Sequence, residues 1–147
     1  NGFSLVRNII KKININNKIK KELLKPTKIY TKEILQLVQK DLIASAANIT
    51  GGGIVENIIR SVPKKLSVNI DLSRIKVPFI FKWLKAQNIN DIEMLKTFNC
   101  GVGFCLIVKK ENIKKIQTHF SKIFMPYEIG YISNSKKRLN LINKIKW

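Results

Sequence analysis

Carboxylates are scarce in this chain: nine aspartates and glutamates stand against 28 lysines and arginines over 147 residues, a formal charge of +19. Histidine occurs once. His119 lies among helical positions with no Cys, Asp or His partner at ligand spacing, which speaks against a zinc site or a Ser-His-Asp triad inside the chain. Cysteine occurs twice. Cys100 and Cys105 lie in what reads as one strand, so they point to opposite faces, too far apart to bridge, and are expected to be reduced core thiols of a cytoplasmic protein. No apolar run approaches the roughly 18 residues of a membrane span. The chain opens on Asn1 rather than methionine and enters helical periodicity at Phe3 without a charged, apolar, cleavable leader. The expectation is a single globular domain, 1–147, cut from something longer.

Positive charge is abundant, and +19 by itself suggests nucleic acid or an anionic surface. The distribution argues otherwise. Lysines are spread over Lys11 to Lys28, Lys109 to Lys122 and Lys136 to Lys146, between apolar positions, as solvated helix faces place them. Isoleucine and asparagine are abundant too, a bias that AT-rich coding produces together with lysine. Such a charge binds polyanions weakly whatever the function, so no specific nucleic-acid partner is expected.

Three of the seven glycines are contiguous. In Asn48-Ile-Thr-Gly-Gly-Gly-Ile-Val-Glu-Asn-Ile-Ile-Arg60 an apolar run from Leu42 to Ile49, with the length of a buried strand, meets Ile54, Val55, Ile58, Ile59 and Val62 at helical spacing. The glycines join strand to helix. On a helical wheel Gly53, Glu56, Asn57 and Arg60 fall opposite the apolar set. A helix N-terminus offers unpaired N–H groups, and glycine lets an anion approach them, so Thr50, Gly51, Gly52 and Gly53 read as a phosphate cradle with Asn57 and Arg60 nearby. The competing reading is a flexible turn followed by a Glu56–Arg60 ion pair at i, i+4. Neither the Gly-x-x-x-x-Gly-Lys-Ser/Thr loop nor the Gly-x-Gly-x-x-Gly fingerprint is present.

In chain order, Phe3, Val6, Ile9, Ile10 and Ile13 predict an amphipathic helix over residues 3 to about 13, broken by Asn14 to Lys18. Pro26 holds Lys25 out of the helical region, and Thr31 is placed to cap a helix whose buried face is Ile34, Leu35 and Val38. Leu66 to Leu72 alternates like a strand covered on one face and nearer an edge than the middle. Pro78 opens a helix with Ile80, Trp83 and Leu84 inward, and Asp91 to Lys96 adds a short helical turn. Asn99 to Val108 reads as a strand, its apolar tail central and buried on both faces. Period 2 puts Asn99, Gly101 and Gly103 on one side, a track open to a packed helix or to a ligand. Ile113, Ile116, Phe120, Ile123 and Phe124 mark a helix, and Tyr127 to Ser133 and Arg138 to Asn143 two strands. The expected fold class is α+β, an α/β sandwich with helices packed on a mixed sheet.

Thr50-Gly-Gly-Gly-Ile-Val-Glu-Asn-Ile-Ile-Arg60 and Thr97-Phe-Asn-Cys-Gly-Val-Gly103 resemble phosphoribosylformylglycinamidine cyclo-ligase, or aminoimidazole ribonucleotide synthetase. Asn1-Gly-Phe-Ser-Leu-Val-Arg7 resembles the end of that family's His-Ser-Asn-Gly-aromatic-Ser-Leu-Val-Arg segment, and Leu24-Lys-Pro-Thr-Lys-Ile-Tyr30 its Leu-x-Pro-Thr-Arg-Ile-Tyr segment. Tyr127 to Ile132 has a weaker counterpart. The resemblance covers nearly the whole chain and corresponds to the carboxy-terminal domain of a two-domain synthetase. Asn48 stands where the family usually has histidine, Ile59 stands where proline is usual, and Lys28 replaces arginine. Asn48 keeps hydrogen bonding but cannot exchange protons near neutral pH.

The resemblance implies a mostly antiparallel, partly ferredoxin-like mixed sheet packed by helices. It implies ATP-dependent ring closure of formylglycinamidine ribonucleotide to aminoimidazole ribonucleotide, with ATP and Mg2+ held mainly by an amino-terminal domain outside this chain, which also makes a homodimer. This domain alone is expected to be inactive and to supply one wall of the cleft: Thr50 to Gly53, Asn57 and Arg60 for the substrate phosphate, Asn99, Gly101 and Gly103 as a floor, and Asn1, Gly2 and Asn48 beside it. No residue is a convincing general base, and no catalytic residue is assigned. Three other readings stand beside this one: a sister enzyme of the same plan (selenophosphate synthetase, thiamine-monophosphate kinase or hydrogenase maturation type), a non-catalytic polyanion-binding module, and a decayed or regulatory domain.

Overall fold

The computed structural model describes residues 2–120 and 125–147. Asn1 and the helical positions Ile123 and Phe124 lie outside them. The chain opens with three helices, α1 (Phe3–Ile10), α2 (Asn17–Leu23) and α3 (Thr31–Gln39). α1 stops three residues before Ile13, which is partly exposed. α2 has no counterpart in the periodicity, being set by a cap: Asn16 Oδ1 accepts from Ile19 N at 3.0 Å, and Ile19 is buried. In α3, Thr31 is the first helical residue and makes no cap. The buried face also differs from the expected one. Leu37 is fully buried and Ile34 packs beside it, whereas Leu35 and Val38 are more than half exposed.

A two-stranded antiparallel ribbon follows, β1 (Ser45–Asn48) with β3 (Phe104–Ile107), in register Asn48↔Phe104 and Ala47↔Cys105. Its two faces serve two apolar clusters. Ala47, Cys105 and Ile107 join the main core, and Leu106 packs on a smaller cluster of Leu37, Ile116 and Phe120. β3 therefore meets apolar side chains on both faces but is not a central strand, since among the described residues it pairs with β1 alone. Its expected beginning is also corrected. Residues 99–103 are a turn, with Cys100 at φ 49° and Gly101 at φ 101°, and Asn99, Gly101 and Gly103 share no strand face. The cause is local: Asn99 Oδ1 accepts from Gly101 N and Asn99 O from Val102 N, both at 2.9 Å. Cys100 thus leaves the strand, and both thiols are buried and unbridged.

The second sheet has the order β4–β2–β5, with β2 (Ser67–Asp71) antiparallel to β4 (Gly130–Ser133) and parallel to β5 (Leu139–Ile142). β2 is the middle strand, not an edge. Val68 and Ile70 face the main core, as a half-covered strand would have them. The opposite face is closed by polar side chains: Asn69 Nδ2 donates to Ser133 Oγ at 2.8 Å, and Asn140 Nδ2 donates to Asn69 Oδ1 at 2.9 Å and to Ser67 Oγ at 3.2 Å. Ser67 and Asn69 are buried in this ladder, each satisfied. Helices α4 (Gly53–Asn57), α5 (Phe79–Lys85), α6 (Asp91–Thr97) and α7 (Ile113–His119) complete an α+β fold with mixed and antiparallel strands. No helix among the described residues is long and apolar enough to cross a membrane.

Candidate functional site

The glycine-rich turn does join strand to helix, but the helix is short. α4 holds five residues and passes at Ile58 into a 3-10 turn, Ile58–Ser61. Of its expected polar face, only Glu56 and Arg60 are exposed, paired at 3.7 Å; Gly53 and Asn57 are buried. Asn57 Nδ2 donates to Gly51 O at 2.9 Å and to Gly53 O at 2.8 Å. Its amide protons are spent on the shape of the turn. Gly53, at φ 58°, has a second reason to lack a side chain: a Cβ there would lie 1.9 Å from Leu95 O. It is where α4 seats on the end of α6. Thr50 and Gly51 are the exposed rim of the turn, and Gly52, at φ 89°, lies against the Glu56 side chain.

The other glycines mark close approaches as well. A Cβ on Gly2 would enter the Phe98 ring, and one on Gly103 would lie 2.3 Å from Tyr30 Oη. A Cβ on Gly101 would lie 2.4 Å from Pro78 Cδ. Segments far apart in sequence are thereby drawn to one edge. Thr50 and Asn99 line one cleft of about 160 Å3 with Phe3 and Val6 of α1, Glu22 and Lys25 at the end of α2, and Phe81 of α5. Asn48 lines an adjoining groove of about 320 Å3 with Thr27, Lys28, Tyr30 and Phe104. Asn48 and Thr50 are exposed while Ile49 between them is buried, so strand alternation turns both outward at this edge.

Tyr30, Phe104, Glu22 and Lys25 also line the cleft and groove, and periodicity gave no reason to single them out. Tyr30 and Phe104 pack with ring centroids 5.4 Å apart and planes tilted by 44°, and burial raises the Tyr30 phenol above its ordinary value. Glu22 and Lys25 form an ion pair at the cleft mouth. Cys100 and Cys105 are buried, and desolvation pushes each thiol up to about 12, which disfavours the thiolate. Among the described residues no group of three His, Cys, Asp or Glu side chains gathers to hold a metal ion.

Four of the segments that resemble the cyclo-ligase, within Asn1 to Arg7, Leu24 to Tyr30, Asn48 to Arg60 and Thr97 to Gly103, thus contribute residues to the cleft and groove, which Ile80, Phe81 and Leu84 of α5 also line, whereas no residue of Tyr127 to Ile132 lines either. A family model described as AIR synthase related protein, C-terminal domain, matches residues 1–141. The chain belongs to that family. It is similar to the phosphoribosylformylglycinamidine cyclo-ligase of Clostridium perfringens, 41% identical over 138 aligned positions that cover 90% of this chain and 41% of the relative. A bifunctional purine biosynthetic protein of Saccharomyces cerevisiae is 42% identical over 127 positions, 79% of this chain and 16% of the relative. A trifunctional purine biosynthetic protein of Bos taurus is 39% identical over 127 positions, 78% of this chain and 13% of the relative. The chain spans well under half the length of these relatives.

Proposed function

We propose that this chain is the C-terminal wall of the active cleft of a cytoplasmic phosphoribosylformylglycinamidine cyclo-ligase. The observation that carries the reading is the convergence just described: segments spread over about a hundred residues of sequence meet at one edge, around Thr50 and Asn99. The reaction closes the imidazole ring of purine synthesis. ATP activates the amide oxygen of formylglycinamidine ribonucleotide, a substrate nitrogen attacks that carbon, and ADP and phosphate leave as aminoimidazole ribonucleotide forms. ATP, Mg2+ and the homodimer contact belong to the remainder of the longer protein, and this domain alone does not turn over.

Within the chain, the Thr50 hydroxyl and the exposed Gly51 backbone present donors to the substrate phosphate. Arg60 supplies charge beside them, shared with Glu56. Gly52 and Gly53 let the turn fold, and Asn57 holds it rather than touching substrate. The Asn99 to Gly103 turn forms the floor, and Gly2 and Asn48 flank it. Positioning and charge stabilisation, which is most of what phosphoryl transfer asks of a protein, are what this wall offers.

In the full-length protein, Arg60→Ala and Thr50→Val should each raise the Michaelis constant for formylglycinamidine ribonucleotide on the order of tenfold and leave that for ATP nearly unchanged. Equal effects on both substrates, or none, would remove the phosphate assignment. The polyanion-binding alternative predicts a stoichiometric nucleic-acid complex that survives physiological salt.

A further inference from the structure

Arg138, at the entry to β5, donates four side-chain hydrogen bonds to backbone carbonyls. Its Nη1 donates to Pro63 O at 2.6 Å and Leu66 O at 2.7 Å; its Nη2 donates to Ile59 O at 2.7 Å and Val62 O at 3.0 Å. A guanidinium carries four N–H groups on its two terminal nitrogens, so all four are matched to carbonyls. One of those carbonyls, Ile59 O, belongs to the 3-10 turn that ends α4 and is of the kind a helix end leaves without an intrahelical partner; Val62, Pro63 and Leu66 are in the segment that leads from that turn to β2, where Pro63 O also accepts from Leu66 N at 2.9 Å. The cation also sits at the negative end of the α4 dipole. Arg138 is tied to the sheet by its own backbone, its O accepting from Val68 N at 3.0 Å.

The consequence runs back to the cleft. Asn57 is the last residue of α4 and grips Gly51 O and Gly53 O, so whatever fixes the end of α4 fixes the carbonyls of the glycine turn. We propose that Arg138 is a positioning residue for the substrate-binding edge: it anchors the α4 end to the β4–β2–β5 sheet, and through Asn57 sets the turn that carries Thr50 and Gly51. Nothing in this role requires Arg138 to touch substrate. It rests on the cyclo-ligase reading for its kinetic consequence, but not for its structural one.

Lysine cannot replace it, because three donors on one nitrogen cannot reach four carbonyls spread over residues 59–66. The test compares Arg138→Ala and Arg138→Lys with the parent full-length protein, with and without added methylguanidinium. The expected result is folded variants whose Michaelis constant for formylglycinamidine ribonucleotide rises on the order of tenfold or more, with that for ATP unchanged. Amide exchange across residues 50–61 should be faster, and methylguanidinium should reverse both effects in Arg138→Ala only. Variants with parental substrate constants and parental exchange at 50–61 would overturn the proposal, as would a loss shared equally by both substrates. If Arg138→Ala fails to fold, exchange and kinetics of Arg138→Lys decide by the same criteria. A parent protein that makes no aminoimidazole ribonucleotide defeats the cyclo-ligase reading, and the exchange measurement then decides the positioning role by itself.

Discussion

At the scale of the residue, the chain's glycines answer to packing before chemistry. Gly53 combines φ 58° with a backbone carbonyl 1.9 Å from the missing Cβ, and a carbonyl in the α6 end cannot step aside as a side chain can. Gly53→Ala should therefore cost about 3 kcal/mol or more, read from chemical denaturation of the domain; a loss below about 1 kcal/mol would mean the α4–α6 contact is looser than described. Gly103 differs, because the obstacle there is the end of a side chain, Tyr30 Oη at 2.3 Å. Gly103→Ala should destabilise in the Tyr30 background and less so with Tyr30→Phe, a coupling that a double-mutant cycle measures directly. The two thiols supply a pH dependence. Desolvation raises each folded pKa to about 12, above the unfolded value near 8.5. The unfolded chain thus loses its thiol protons first as pH rises. The contribution is fully present below about pH 8 and declines above it, by about 1.4 kcal/mol per pH unit per thiol until the folded pKa is reached. Stability followed from pH 8 to 10 should fall, and Cys105→Ala should remove about half of the part due to thiols.

At the scale of the element, short-range capping decided what periodicity could not. α2 exists because Asn16 caps it, and α6 is capped the same way, Asn90 Oδ1 accepting from Glu93 N at 2.8 Å. Asn16→Ala should cost about 1 kcal/mol, and the helical signal of α2 should fall locally. Asparagine between lysines looks like loop composition, which is why α2 was not legible in the sequence. The helices at Phe3, Thr31, Pro78 and Ile113 and the two C-terminal strands were legible, because each carries a clear apolar period or a breaker at its boundary. β2 misled in an instructive way. Its polar residues look solvent-facing, but Ser67 and Asn69 bond with Ser133 and Asn140, residues 64 to 73 positions away. No local pattern announces that. The Asn99 to Gly103 segment misled for the reverse reason: it alternates like a strand, while the Asn99 side chain bonds its own backbone two residues on and turns the chain. The site suffered the same limit, since Asn57 reads as a free polar side chain until the carbonyls of Gly51 and Gly53 are seen beside it.

At the scale of the molecule, three features act together: a surface charge of +19, two modest sheets, and an edge where the cyclo-ligase-like segments meet. The charge should give weak binding to any polyanion, with log affinity falling linearly with log salt and no sequence preference; titration with unrelated duplexes at two salt concentrations checks it. Under the proposed function this edge is one wall of the cleft and faces a surface that bears ATP and metal. Asn48 tests how much this wall adds to proton movement: if relatives use histidine there, Asn48→His in the full-length protein should raise the turnover number and introduce a pH dependence between about 6 and 7. The measurement that bears most directly on the account is formation of aminoimidazole ribonucleotide from formylglycinamidine ribonucleotide and ATP by the full-length protein, with ADP followed in parallel. The account predicts product and ADP in equal amounts; a folded, ATP-binding protein that forms no product, in both the Asn48 and Asn48→His forms, would contradict it.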